Sequence, residues 1–206
     1  APYMIQEGMA MRLLPIKNPD PRKNFVSTGV MFDNMITKYQ YRGLDNPKAY
    51  YNEDYRGFVL NHRSTLNDLA EALIAEHEAE TYGVTESISV EGPTENKMEK
   101  ARKVVLFSLE KMPDKAVPYD QTVPGTVELL FKVGEKEKAI EIAKVAGDRA
   151  DEMATYLISE GQGVTLELRK NLFILGDLQR TLHENGEHDL AKKFEDAYEK
   201  HLANLQ

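Results

Sequence analysis

Apolar residues recur at helical spacing along most of this chain, and the places where the rhythm stops define its elements. In residues 53–80, Phe58, Leu60, Leu66, Leu69, Ala70, Leu73 and Ile74 fall on one face, with Asp68, Glu71 and Glu76 on or near the other side. That is the clearest helix of the first half. Residues 95–112 resume the pattern and stop at Pro113. Residues 164–184 carry the stripe Leu168, Leu172, Leu175, Leu178 and Leu182. Residues 187–205 turn Leu190, Ala191, Phe194, Ala197, Tyr198 and Leu202 inward. Burying one such large side chain stabilises by roughly 1.5–3 kcal/mol before entropy is counted, so the faces must pair, and adjacent antiparallel helices do this most simply.

The stretch ELLFKVGEKEKAIEIAKVAG, residues 128–147, reads as the end of one helix, a tight polar turn and a second helix folded back. Gly134 precedes Ala139 by five residues, and the same spacing returns at Gly186 and Ala191. In helix-turn-helix repeats of the tetratricopeptide type, the glycine ends the first helix and the small residue lets the pair approach closely. A weaker third copy puts Ala101 at the small position, with Pro113 twelve residues later. Helices are expected over 126–133 and 135–146. A further one runs over 148–160, with Gly147 as a possible break between them. Residues 113–125 hold three prolines and are expected to connect rather than to form an element. The expected fold is all-α: antiparallel helical hairpins of tetratricopeptide-like type in a short right-handed superhelical array. One domain spans 1–206, with 1–52 packed on the body and the repeats in 53–206.

The rhythm is weaker elsewhere. Residues 9–16 are short, apolar and closed by Pro15, which predicts an extended segment packed on the body. NPDPRKN, residues 18–24, is a turn cluster. Residues 25–41 space Val26, Val30, Met31, Met35 and Ile36 helically, with Asn24 or Ser27 as the cap. Residues 43–52 are a loop in which Gly43 ends that helix. Over 81–94, β-branched residues alternate with polar ones around Gly83, Gly92 and Pro93, the pattern of a loop or a small hairpin.

Composition removes several function classes. The chain has 206 residues and a net charge of −8, so it lacks the basic surface that phosphate contacts need, and nucleic acid is not expected as a partner. No 18-residue apolar run is present to span a membrane. Cysteine is absent, which removes disulfides, thiolate nucleophiles and Cys-ligated metals, and fits cytoplasm or periplasm. The chain begins at Ala1 without a signal-peptide pattern, the look of a piece processed or excised from something longer.

Candidate chemistry is sparse. His183-Glu184 resembles the start of a zinc-protease motif, but the next histidine is His188, and Gly186 breaks the helix between them. No metal, cofactor or catalytic residue is expected. Neither GEKEK nor GQGV is a phosphate loop, and no GxSxG elbow occurs. Glu135, Glu137 and Glu141 alternate with Lys136, Lys138 and Lys144, as on a solvated, salt-bridged face. Residues 39–55 are more suggestive, because Tyr39, Tyr41, Tyr50, Tyr51 and Tyr55 cluster with Arg42, Asp45, Asn46 and Arg56. Tyrosines beside carboxylates and amides can stack on sugar rings or line a peptide groove. They also close the edge of a helical body with the ring buried and the hydroxyl wet, and this structural reading is preferred.

Several segments, in fixed order, carry a family resemblance. EGMAMRLLPIK, residues 7–17, is similar to a signature of the form EGLAYRLVPI. VMFDNMITKYQYRGLDNPKAYYNEDYRGFVLNHR, residues 30–63, is close to MYDNFMNKFKWGGLDNP-x-YLDE and its trailing helix. LAEALIAE, KARKVVLFSLEKMPDKAVPYD and GEKEKAIEI follow. Together they resemble, over nearly the whole chain, the C-terminal soluble portion of a large Gram-negative bacterial membrane-protein family similar to the protein O-mannosyltransferase-like glycosyltransferases.

The resemblance implies a parent with many N-terminal membrane helices and a lipid-linked sugar donor. This tetratricopeptide-like domain would then lie on the periplasmic face of the inner membrane. The catalytic acid of such enzymes sits in a loop between membrane helices, so no catalytic residue is carried over. Asp33, Asn34, Lys38, Gly43, Leu44, Asp45, Asn46 and Pro47 match the family pattern. With the tyrosines they give the candidate binding set Asp33, Asn34, Lys38, Tyr39, Tyr41, Asp45, Asn46, Tyr50 and Tyr51. Relatives have a short turn where this chain has an insertion at 78–94. The expected function is non-catalytic: positioning an acceptor protein or peptide, or supporting the chain's own membrane part. The alternative is a free-standing periplasmic peptide-binding repeat protein. An independent helical hydrolase is weakest, since no nucleophile-base pair can be named.

Overall fold

The computed structural model describes residues 3–18, 25–81, 96–161 and 163–205, apart from the side chains of residues 53 and 54. The fold is mostly helical, with helices packed on helices and one two-stranded sheet among the described residues. The chain forms two compact units, Ala1–Pro118 and Tyr119–Gln206.

In the first unit, β1 (Met4–Gln6) and β2 (Met11–Leu13) form an antiparallel hairpin, so the expected extended segment is a paired one. It is not packed on the body: Met9, Met11, Leu13 and Ile16 are exposed, because pairing with β1 rather than burial holds it. The other edge of β1 holds residues 25–27: Gln6 N–H donates to Phe25 O and Ser27 N–H donates to Gln6 O. Next come a short helix α1 (Thr28–Phe32) and, without a break, a π-helical turn, Asp33–Lys38. Ser27 stands at the start of α1 but makes no side-chain cap, and Asn24 lies outside the described residues. The helical stretch stops at Lys38, before Gly43. That glycine serves a separate turn, at φ +81°. Met31 and Met35 are fully buried and anchor this region.

The long helix α2 (Glu53–Thr81) packs on α3 (Lys97–Lys111). Their directions follow from two ties. Lys97 bonds Glu76 and Glu80 at one end, and Arg63 reaches the carbonyls of Met112 and Val117 at the other, so the helices are antiparallel. Leu66, Leu69, Ala70, Leu73 and Ile74 of α2 and Ala101, Val104 and Val105 of α3 are buried in the core. Phe58, expected inward, is 66% exposed. Asn96 caps α3 by accepting from Met98 N–H. The expected loop or hairpin at 81–94 lies outside the described residues except for Thr81, which ends α2; of the insertion expected at 78–94, residues 78–81 belong to that helix.

The described residues of the second unit form four helices: α4 (Val123–Lys132), α5 (Lys136–Ser159), α6 (Leu166–Glu184) and α7 (His188–Ala203). α4 begins three residues earlier than expected, because Pro124 occupies its first turn, where a missing N–H costs nothing. α5 runs unbroken through Gly147. That glycine is there for space: a Cβ at 147 would stand 2.2 Å from Cζ of the buried Phe194. All five leucines of the α6 stripe are buried. On α7, Leu202 is exposed and His201 takes the inward position instead.

The two expected hairpin turns are built alike. At Gly134 (φ +82°), its N–H donates to Phe131 O and Glu135 N–H donates to Leu130 O. At Gly186 (φ +81°), its N–H donates to His183 O and Glu187 N–H donates to Leu182 O. Both are Schellman closures of the preceding helix. Five residues on, Ala139 and Ala191 are buried at matching positions of α5 and α7.

Candidate functional site

The candidate binding residues fall into three groups. Asp33, Asn34 and Lys38 share the π-helical turn. Lys38 Nζ lies 2.5 Å from Asp33 Oδ2, and Thr37 Oγ1 donates to Asp33 Oδ1 at 2.7 Å. The hydrogen bonds from Lys38 and Thr37 hold the Asp33 carboxyl below its ordinary value. Asn34 bridges the turn and the hairpin: its Oδ1 accepts from Lys38 Nζ at 3.3 Å, and its amide donates to Glu7 O at 2.7 Å.

Tyr39, Tyr41 and Tyr51 are half-buried. Tyr41 donates its hydroxyl to Met35 O at 3.0 Å and sets its ring edge-on to His62 and Phe107. Burial, with a smaller contribution from Tyr39, pushes that phenol well above its ordinary value. Tyr51 donates to Gly43 O at 2.6 Å and closes the loop on itself. Tyr39 lies against Gly8 of the hairpin.

Asp45, Asn46 and Tyr50 sit exposed on the loop. Asn46 Oδ1 accepts from Lys48 N–H in a local turn, while Tyr50 is 87% exposed. Tyr55 and Phe58, one turn apart on α2, add two more exposed aromatic side chains, at 62% and 66%. The nine residues thus divide among three settings. The first two groups assemble the unit, and Asp45, Asn46 and Tyr50 remain open to solvent.

His183 and His188 stack edge-on with centroids 5.0 Å apart at the exposed α6–α7 turn. Among the described residues, no group of three His, Asp or Glu side chains is placed to hold a metal ion. No helix of the described residues is long and apolar enough to cross a membrane.

Two buried titratable side chains escaped the sequence reading. Arg63 is 1% exposed, and its guanidinium donates to Val117 O at 3.1 Å, Met112 O at 3.3 Å and Pro118 O at 3.5 Å. Its signal was positional, since it lies one helical turn from both Val59 and Leu66 on the apolar stripe. His201 is 1% exposed, and its Nε2 lies 2.6 Å from Asp151 Oδ1, joining α7 to α5. The chain matches no family model, no curated protein and no solved structure.

Proposed function

We propose that this chain is the non-catalytic, tetratricopeptide-like domain of a membrane glycosyltransferase-like protein, placed on the periplasmic face. It holds an acceptor protein or peptide near the membrane part, or braces that part. The observation that carries the reading is the pair of equivalent hairpins, in which the Gly134 and Gly186 turns close alike and set Ala139 and Ala191 at the same helical position. Such hairpins supply stiff surfaces for other proteins rather than reactive groups. The ordered resemblance of residues 7–17, 30–63, 69–76, 100–120 and 134–142 supplies the membrane parent. Within the loop, Asp45, Asn46 and Tyr50 are the side chains exposed for an acceptor.

Reading the encoded protein upstream of Ala1 tests this directly. The expected result is a series of apolar spans of about 20 residues each, in frame. A short signal peptide alone would sink the membrane reading. Sugar transfer catalysed by this chain by itself would refute its non-catalytic role.

A free-standing peptide-binding protein is the second reading. A groove of about 600 Å³ between α5 and the start of α7, edged by Ile140, Lys144, Leu190 and Lys193, favours it.

A further inference from the structure

We propose that the cleft between the β1–β2 turn and α2 binds a neutral, polyhydroxylated small molecule with the bulk of a single sugar ring. The cleft has a volume of about 230 Å³. At roughly 30 Å³ per water this is room for about eight waters, less than a drug-sized pocket and enough for one small ring.

Its lining is what specifies the ligand. Gln6, Asn61, Ser64 and Thr65 supply hydrogen-bonding groups, Met9 and Met11 flank them, and no charged residue lines the cleft among those described. A charged ligand would meet no counter-charge there. A ligand with several hydroxyls would meet both donors and acceptors.

Three of these residues have unused hydrogen-bonding capacity. Gln6 is 6% exposed, and its Nε2 donates to Gly8 O at 3.3 Å, which leaves Oε1 as the buried atom with no partner. An unmet buried acceptor of this kind is costly unless something donates to it. On α2, Asn61, Ser64 and Thr65 stand at i, i+3 and i+4 and so share a face. Thr37, Thr81 and Thr126 each bond a carbonyl one turn back. Ser64 and Thr65 do not, so their hydroxyls stay available to a ligand. Met9 and Met11 are 41% and 52% exposed and supply adaptable apolar walls for the C–H face of a ring.

The proposal stands on this cleft and not on the membrane-parent reading, so either can fail alone. The test is an NMR titration of the ¹⁵N-labelled chain with methyl glycosides of glucose, mannose and galactose at millimolar concentrations, and with sorbitol as an acyclic control. At least one glycoside is expected to shift the side-chain amides of Gln6 and Asn61 and the backbone amides of residues 8–11, saturably. Ser64→Ala and Thr65→Val should each weaken that binding about 2- to 12-fold, the worth of one neutral hydrogen bond. Ser64 is exposed, so its variant keeps the fold. No saturable shift with any glycoside, equal shifts with sorbitol, or unchanged affinity in both variants would overturn the proposal.

Discussion

At Gly147 a single methyl group decides the sign of a mutation. In a helix interior, Gly→Ala ordinarily stabilises by about 1 kcal/mol. Here the new Cβ would stand 2.2 Å from Phe194 Cζ, and Phe194 is 1% exposed and walled in. Overpacking of that kind costs about 1–3 kcal/mol, so Gly147→Ala should lower the urea midpoint. Gly176 is the control, because a Cβ there would meet Tyr198 at an ordinary 3.6 Å. Gly176→Ala should stabilise by about 0.5–1 kcal/mol. If both substitutions stabilised, Phe194 would not be the wall it appears in the packing. Arg63 offers a second test of a residue. Its charge is buried against carbonyls that end α3 and the turn after it. Arg63→Met leaves those carbonyls without that donor and should cost about 1–3 kcal/mol. Arg63→Lys keeps the charge but loses the planar fork, so it should recover less than half of that loss in the same unfolding assay.

At the scale of elements, the Gly134 and Gly186 turns should respond alike. A Cβ at either position meets nothing within 4 Å, so the only penalty is the left-handed backbone. Gly134→Ala and Gly186→Ala should each cost about 1–2 kcal/mol. A marked inequality in thermal unfolding would show that the two hairpins are not equivalent. These turns and the α6 leucine stripe were legible in the sequence because their causes are local: a backbone angle that favours glycine, and a face that repeats every turn. The continuity of α5 was not, since glycine at 147 answers to a side chain on α7. Arg63 and His201 were missed because their partners lie far along the chain, at 112–118 and at Asp151. The residues of the Tyr-rich stretch were legible as a cluster, but the direction in which each ring points is set by packing against Met35, Phe107 and Gly8.

Lys97 links α2 to the start of α3 through Glu76 and Glu80. Burial pulls its pKa down, but the hydrogen bonds to the two carboxylates outweigh this and hold it above 10.5. A group raised in the folded state contributes its stability fully below the unfolded value and loses it as pH rises through the folded value. Lys97→Met should therefore lower the thermal midpoint slightly at neutral pH, and the difference from wild type should vanish only above pH 10.5. A difference that fades near neutrality would assign the effect to another group.

On the scale of the whole molecule, the second unit carries a core of its own. Leu130, Ile142, Leu168, Leu175, Leu178, Leu182 and Phe194 are all at most 2% exposed, and they come from all four of its helices. Its ties are internal as well: Lys193 to Asp148 at 2.6 Å, His201 to Asp151 at 2.6 Å and Lys136 to Glu187 at 2.7 Å. Units with a self-contained core can fold alone, and stacked hairpins draw stability from their nearest neighbours. Residues 119–206 expressed separately should therefore give a helical circular-dichroism spectrum, dispersed amide resonances and one cooperative unfolding transition. Gly147→Ala should destabilise the fragment by the same amount as the full chain, since sites without shared partners contribute independently. Strong dye binding with poor dispersion would mean instead that residues 1–118 supply part of what orders these helices. A fragment that folds but tolerates Gly147→Ala would place the looseness at the α5–α7 contact.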